Sequence, residues 1–390
     1  MDRRIRVLFA IGSLEGGGSE RQLIGILRHL DRRRFAPLLY LVRREGALLS
    51  EVPPDVPVIA FQDDYRQPRL YIPGRIHRAQ VCHMVEVIRR ETIDVVYDRT
   101  YNMTIITGEA TRKTHTPRVS VVVTDPATDF ENNSSGFPRV RRRLLNRAYR
   151  TADRLLAVSE GVRRATVNHH ALPDSQVVTI ENFLDVERIE ASLQGAARRP
   201  VDDGPFEIVG VGRLHPQKGF DILIEALALL NSKDLPEPVH LSIVGIGPAE
   251  AELRKLTAAR ELDACVSFEG FVENIPRRLR DAHLYCLSSR YEGMPNVVLE
   301  ALYCGVPVLA TDCPSGPREI LCNGKYGRLV APGNVIALAE AIADALTDYP
   351  CWQSIVAVAR EHVCRRFGPK AGIARLEEVL EGVLNLPDVR

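Results

Sequence analysis

Short runs of aliphatic and β-branched residues alternate with longer segments of helical periodicity over nearly the whole chain, the pattern of βαβ units that build parallel sheets. The fold class read from it is α/β. In the first half the runs predict strands at Val7 to Ile11, Leu38 to Val42, Val95 to Tyr97, Val119 to Val123, Leu155 to Val158 and Val177 to Ile180, with helices notably at Glu20 to Leu30 and Ile76 to Arg90. After Asp185 the pattern loosens into a polar stretch bearing Gly195, Pro200, Gly204 and Pro205, which has the character of a linker. A fresh series follows: strand Phe206 to Val211, helix Phe220 to Leu230, strand Val239 to Val244, helix Ala249 to Arg260, then strands Cys265 to Phe268, Leu284 to Leu287 and Val306 to Ala310, with closing helices from Val335 onward. Each half opens with an apolar strand that runs into a glycine turn and then a helix. Domains are therefore placed at 1–195 and 196–366, followed by a closing segment at 367–390.

Length supports two domains, since 390 residues exceed what one hydrophobic core usually serves. Apolar residues at 45% and charged residues at 26% are the balance of a soluble globular protein. With 51 Lys and Arg against 50 Asp and Glu, total charge gives no reason to expect a nucleic-acid partner. The eight cysteines include no CxxC pair and no tight Cys/His cluster, which argues against structural zinc. Cys286 and Cys304 lie in apolar runs as small core residues, and a reducing cytoplasm is expected. The apolar run Ile5 to Ile11 is too short for a signal peptide, and no stretch approaches the roughly 18 uncharged apolar residues of a spanning helix. The sequons at Asn102 and Asn133 are then read as accidental.

The first glycine turn, Gly16-Gly17-Gly18-Ser19-Glu20, ends where an amphipathic helix starts. Adjacent glycines let backbone approach a ligand, and a helix N-terminus offers unpaired N–H groups to an anion. A flexible turn capped by Ser19 is the plainer alternative. The second turn, Val209-Gly210-Val211-Gly212-Arg213-Leu214-His215-Pro216-Gln217-Lys218-Gly219, begins as GxG but lacks the third glycine of a dinucleotide fingerprint. It carries Arg213 and Lys218 instead, a guanidinium fork and an ammonium suited to a diphosphate. A third turn, Gly245-Ile246-Gly247, is read as tight strand-to-helix packing. Neither a Walker pattern nor an Asp-x-Asp metal motif is present, so no metal or other cofactor is expected.

The segment Ser289-Arg290-Tyr291-Glu292-Gly293-Met294-Pro295-Asn296-Val297-Val298-Leu299-Glu300 places Glu292 in a loop and Glu300 in the following helix, with Asn296 as its expected cap. The first N–H groups of that helix, at Asn296, Val297 and Val298, would form a second anion site. Two carboxylates flanking a phosphate site can each accept hydrogen bonds from vicinal hydroxyls, one set on a sugar and one on a ribose. Solvated glutamates at a helix start are the alternative.

Taken in order, Gly210-Val211-Gly212-Arg213-Leu214, Gln217-Lys218-Gly219 and Glu292 with Glu300 resemble the retaining glycosyltransferase family 4 of the GT-B fold. The resemblance extends to Ala157-Val158-Ser159-Glu160, Ile180-Glu181-Asn182-Phe183, Gly270-Phe271-Val272 and Cys313-Pro314-Ser315-Gly316-Pro317-Arg318. It implies two Rossmann-like domains facing a cleft, with the closing helix crossing back to the first. It further implies that Arg213 and Lys218 contact a donor diphosphate, Glu292 the transferred sugar, Glu300 the ribose, and Val272 the neighbourhood of the base. Gly212 would line the donor site, and the Gly16-Gly17 loop would face the donor or acceptor. Many members carry a histidine after a first-domain strand, where this chain has Thr124-Asp125. Either of the two serves in its place, with Asp125 the candidate proton acceptor, or the contact is lost.

The activity expected is transfer of a hexose or N-acetylhexosamine, with retention, from a uridine-linked donor to a glycan or polyprenyl-diphosphate-linked acceptor in surface polysaccharide or glycolipid assembly. Arg139, Arg141, Arg142, Arg143, Arg147 and Arg150, interleaved with Val140, Leu144 and Leu145, suggest peripheral contact with an anionic membrane at its inner face. A solvated cationic face is the alternative. A nucleotide-sugar 2-epimerase and an inactive sugar-nucleotide-binding subunit are the rival functions, while an NAD-dependent dehydrogenase is disfavoured because neither GxG turn completes its fingerprint.

Overall fold

The computed structural model describes residues 3–65, 74–126, 138–195, 204–231 and 236–386. Most of the expected linker and the sequon at Asn133 lie outside those residues. The chain divides into two compact units: Met1–Phe183 together with Pro369–Arg390, and Leu184–Gly368. The helix Val186–Leu193, assigned from the sequence to the first half, therefore belongs to the second unit.

The first unit is a parallel sheet of seven strands, β1 (Ile5–Ile11), β2 (Phe35–Leu41), β3 (Val58–Ala60), β4 (Val95–Arg99), β5 (Arg118–Val122), β6 (Arg154–Ala157) and β7 (Val177–Thr179), in the order β3-β2-β1-β4-β5-β6-β7. Strand addition reverses between β1 and β4. Such a reversal opens a crevice beyond the carboxyl ends of the strands, where ligands of open α/β sheets bind. β3 escapes the sequence pattern because it is a three-residue edge strand with only Ala60 fully buried.

The closing helix Pro369–Gly382 belongs to this unit, as the family resemblance implies. Its Ile373, Leu376 and Leu380 are buried, Glu377 accepts from the Asp31 backbone N–H at 2.8 Å, and Arg34 pairs with Glu377 at 2.9 Å and Glu381 at 2.6 Å.

On β4 and β5 a fully buried charge pair sits inside the unit. Asp98 and Arg118, both with 0% exposure, lie 3.5 Å apart. Asp98 accepts from Thr104 at 2.6 Å, Thr107 at 2.8 Å and Ser120 at 2.7 Å, and Arg118 donates to Ser120 and to the carbonyl of Ala148. Buried charge is tolerable only when paired and hydrogen-bonded, and here each partner is. The network ties helix Tyr101–Thr114 and the arginine-rich helix Pro138–Arg150 to the sheet.

The second unit repeats the plan with six parallel strands, β8 (Phe206–Val211), β9 (Val239–Val244), β10 (Val266–Gly270), β11 (Leu284–Leu287), β12 (Val308–Thr311) and β13 (Arg328–Val330), in the order β10-β9-β8-β11-β12-β13. β12 starts later than the expected Val306 because Pro307 has no N–H to donate to a ladder, although its carbonyl accepts from Tyr285. Helices Phe220–Asn231 and Val335–Thr347 cover one face of the sheet with an almost wholly apolar core that includes Leu223, Leu227, Leu338 and Ile342. Reversal of strand order falls between β8 and β11.

Candidate functional site

The two segments singled out by their chemistry leave adjacent strands of the second sheet, so the strand order brings them together beyond its carboxyl edge. The turn after β8 and the loop after β11 are laced by hydrogen bonds. Ser288 Oγ donates to the Lys218 carbonyl at 2.8 Å, the Arg290 backbone to the Gln217 carbonyl at 2.8 Å, and Gln217 Nε2 to the Tyr291 carbonyl at 3.1 Å. Arg290 also clamps Asp221 at 2.6 Å. Gly219 has φ +63°, and a Cβ there would lie 2.1 Å from the Ser288 carbonyl oxygen, so only glycine lets the two loops approach.

The Gly245 turn, read as packing, packs against the Arg213 turn itself. A Cβ on Gly245 would lie 1.9 Å from the Gly212 carbonyl, and backbone bonds join Gly212 to Val244 at 2.9 Å and Leu214 to Ile246 at 3.0 Å. The loop around Gly316 (φ +91°) presses on Gly293 and Pro295 in the same way.

Glu292 and Glu300 each have their own cation. Lys218 Nζ lies 2.6 Å from Glu292 Oε1, which also accepts from Ser289 Oγ at 2.7 Å. Glu300 Oε1 lies 2.6 Å from Arg188 Nη2. Both glutamate residues are buried, at 6% and 7% exposure. Arg213 is exposed and forms no ion pair or side-chain hydrogen bond among the described residues. The site thus presents one uncompensated guanidinium beside a neutralised Lys–Glu pair. That is a charge pattern set for an added anion.

Helix Asn296–Tyr303 corrects one expectation: Pro295 holds the cap position and Asn296 is the first helical residue, with no side-chain cap. The Val298 N–H is bonded to the Pro295 carbonyl at 3.1 Å and is not presented to a ligand, while Val297 is partly exposed. The proline ring fixes its own φ and so sets the chain direction into the helix. Val272 follows β10, partly exposed, beside Asn274, whose side chain caps helix Ile275–Arg280 by accepting from Arg277 at 3.0 Å.

In the first unit the Gly16-Gly17 turn stands at the carboxyl end of β1. Gly16 has φ +118°, and Gly17 rather than Ser19 holds the cap position of helix Gly18–His29. A Cβ on Gly17 would meet the Glu20 carboxylate at 2.5 Å. Burial raises the Glu20 carboxyl above its ordinary range, opposed in part by the charge of Arg99. Arg99, at the end of β4, is 3% exposed, donates to Tyr97 Oη at 3.3 Å and Asn182 Oδ1 at 3.2 Å, and leaves Nε without a partner. After β5, Asp125 is partly exposed, whereas Thr124, whose buried hydroxyl oxygen has no hydrogen-bond partner among the described residues, lines a recess with Tyr101, Leu145 and Tyr149.

The arginine-rich helix buries Leu145, Ala148 and Tyr149. Arg139, Arg142, Arg143 and Arg147 are exposed without an ion pair among the described residues, and Val140 is exposed among them. Arg141 donates to Asn102 Oδ1 and Arg150 to the His170 carbonyl at 3.2 Å. Burial, reinforced by His169, Arg142 and Arg150, lowers the His170 ring to about 4.

A family model of group 1 glycosyl transferases matches residues 196–362, and one of glycosyltransferase family 4 matches residues 16–188. The chain belongs to the family 4 glycosyltransferases. Its two Rossmann-like units are those of the GT-B fold, as in the crystal structure of Anabaena HepE in complex with UDP-glucose, with a TM-score of 0.80 and 25% identity over 97% of this chain and 100% of that one. An uncharacterized glycosyltransferase of Methanocaldococcus jannaschii is 29% identical over 201 residues, 47% of this chain and 49% of that protein. A Campylobacter jejuni relative, N-acetylgalactosamine-N,N'-diacetylbacillosaminyl-diphospho-undecaprenol 4-alpha-N-acetylgalactosaminyltransferase, is 28% identical over 220 residues, 56% of this chain and 57% of that protein. The chain spans about half the length of these curated relatives. No helix among the described residues of this family 4 glycosyltransferase is long and apolar enough to cross a membrane.

Sequence reasoning missed Arg188, Arg99 and Glu20. Arg188 follows Asp185, where the pattern loosens, and only its contact with Glu300 marks it.

Proposed function

We propose that this protein is a retaining, metal-independent glycosyltransferase that moves a hexose or N-acetylhexosamine from a UDP-sugar to a glycan or polyprenyl-diphosphate-linked acceptor. The observation that carries the reading is the Lys218–Glu292 pair beside unpaired Arg213 at the switch point of the second sheet. Support comes from the UDP-glucose complex of the HepE relative and from the lipid-diphosphate acceptor in the Campylobacter relative's name.

On this reading the nucleoside diphosphate departs from the anomeric carbon through an oxocarbenium-like state, and the acceptor hydroxyl attacks the same face. Arg213 and Lys218 stabilise the charge that develops on the leaving phosphate, with Gly212 and the start of helix Asn296–Tyr303 beside it. Glu292 holds the transferred sugar, Glu300 the ribose and Val272 the base side, while Asp125 is the candidate acceptor base and the Gly16-Gly17 turn faces the donor or the acceptor. No cofactor beyond the nucleotide sugar enters.

The test incubates the full chain with UDP-sugars and a polyprenyl-diphosphate-linked glycan, with and without EDTA, and assigns the new linkage by NMR. An α-linked product from an α-linked donor, unaffected by EDTA, is expected. A β-linked product or dependence on a metal overturns the corresponding part, and a new sugar epimer formed without acceptor favours the epimerase instead.

The unpaired Arg139, Arg142, Arg143 and Arg147, with Arg141, Arg150 and exposed Val140, support a peripheral contact with anionic lipid, each cation near the leaflet contributing about 1 kcal/mol. Cosedimentation with phosphatidylglycerol vesicles at low salt is expected, falling at least tenfold when Arg142, Arg143 and Arg147 are changed to glutamine. Absence of binding by the unmodified protein at low salt overturns the membrane contact.

A further inference from the structure

We infer that Arg188 is a positioning residue that holds the Glu300 carboxylate in the orientation needed to recognise the ribose hydroxyls of the nucleotide. The inference rests on the reading of Glu300 as the ribose contact.

Arg188 lies on the helix Val186–Leu193, which precedes every strand of the second sheet and carries no motif. Its Nη2 donates to Glu300 Oε1 at 2.6 Å, with the two side chains only 18% and 10% exposed. The second oxygen of Glu300 has no hydrogen-bond partner among the described residues. One oxygen is therefore fixed by a cation and the other left as an acceptor. An oxygen left as an acceptor in a fixed direction can take hydrogen bonds from a hydroxyl pair.

The same short helix reaches both elements that flank the nucleotide positions. Asp185 caps it by accepting from the Arg188 backbone at 3.1 Å, and Ile189 is fully buried. Glu190 accepts from the Tyr303 hydroxyl, one turn beyond Glu300, and the Ser192 carbonyl accepts from Asn274 Nδ2 at 2.7 Å, next to the Val272 segment. Arg188, Glu190 and Ser192 thus set helix Asn296–Tyr303 and the β10 loop relative to each other. A guanidinium held by its own capped backbone orients a carboxylate more sharply than a flexible ammonium could.

Calorimetric titration of the full chain with UDP and with 2′-deoxy-UDP tests this on the unmodified protein, Arg188→Gln, Arg188→Lys and Glu300→Gln. A hydrogen bond to a charged group predicts that the unmodified protein prefers UDP by roughly 10- to 100-fold. Arg188→Gln is expected to shrink that preference to about threefold or less, as Glu300→Gln does, and to raise the donor KM with a smaller change in kcat. Arg188→Lys, which retains a cation, is expected to recover part of the preference. If Arg188→Gln weakens both nucleotides equally and keeps the full preference, Arg188 serves only the fold and the inference fails alone. If the unmodified protein binds the two nucleotides equally, the ribose reading of Glu300 fails and the inference falls with it.

Discussion

Alanine in place of Arg213 is expected to lower turnover by roughly 10²- to 10³-fold at saturating donor, the scale of losing one preorganised charge donor at a leaving group. Lys218→Ala is expected to lose as much. Their stabilities should differ, because the two cations have different surroundings. Arg213 is exposed and unpaired, so its removal leaves nothing behind and the melting temperature should hold. Lys218 neutralises buried Glu292 at 2.6 Å, and without it the carboxylate keeps only the Ser289 hydroxyl, so that variant should melt lower as well. Steady-state transfer rates beside thermal unfolding separate the two effects. Near-normal rates in both variants would remove the diphosphate assignment.

The second large effect is on stability and lies far from the chemistry. Asp98→Ala leaves the fully buried Arg118 guanidinium without its carboxylate and removes one acceptor from each of the Thr104, Thr107 and Ser120 hydroxyls, and should cost about 3–5 kcal/mol. Asp98→Asn, which keeps one acceptor oxygen, should cost less. Because a chain of two units need not unfold in one step, urea unfolding is best followed by hydrogen exchange of the β4 and β5 amides, which report on the first unit. Exchange unchanged in Asp98→Ala would show that the network carries no stabilising charge.

The legible part of this protein is the part with local causes. Apolar runs bounded by glycine turns announce β1, β8 and β9, because a strand buried on both faces needs a continuous apolar stretch and a turn after it needs φ space that glycine supplies. β3 and β13, short and half-exposed, carry no such signal, and β13 even opens on exposed Arg328. Pro295 looked like part of a loop, yet it caps the helix that carries Glu300. Asp98 and Arg118 show the same limit in the core: each sits in an apolar strand, and nothing nearby in the chain tells that the other is its counter-charge.

The sequence by itself determined two α/β units and the chemistry at their edges: a turn with two cations, a loop and helix with two glutamates, and a helix rich in arginine. These depend on residue type and short spacing. Tertiary structure alone decided which charges meet. The order of strands places β8 beside β11 and so brings Lys218 to Glu292, and the packing of Val186–Leu193 brings Arg188 to Glu300. Arg213 is left uncompensated for the same reason. Pairing acts over a few ångströms in space, and the distance along the chain between two partners carries no trace of it.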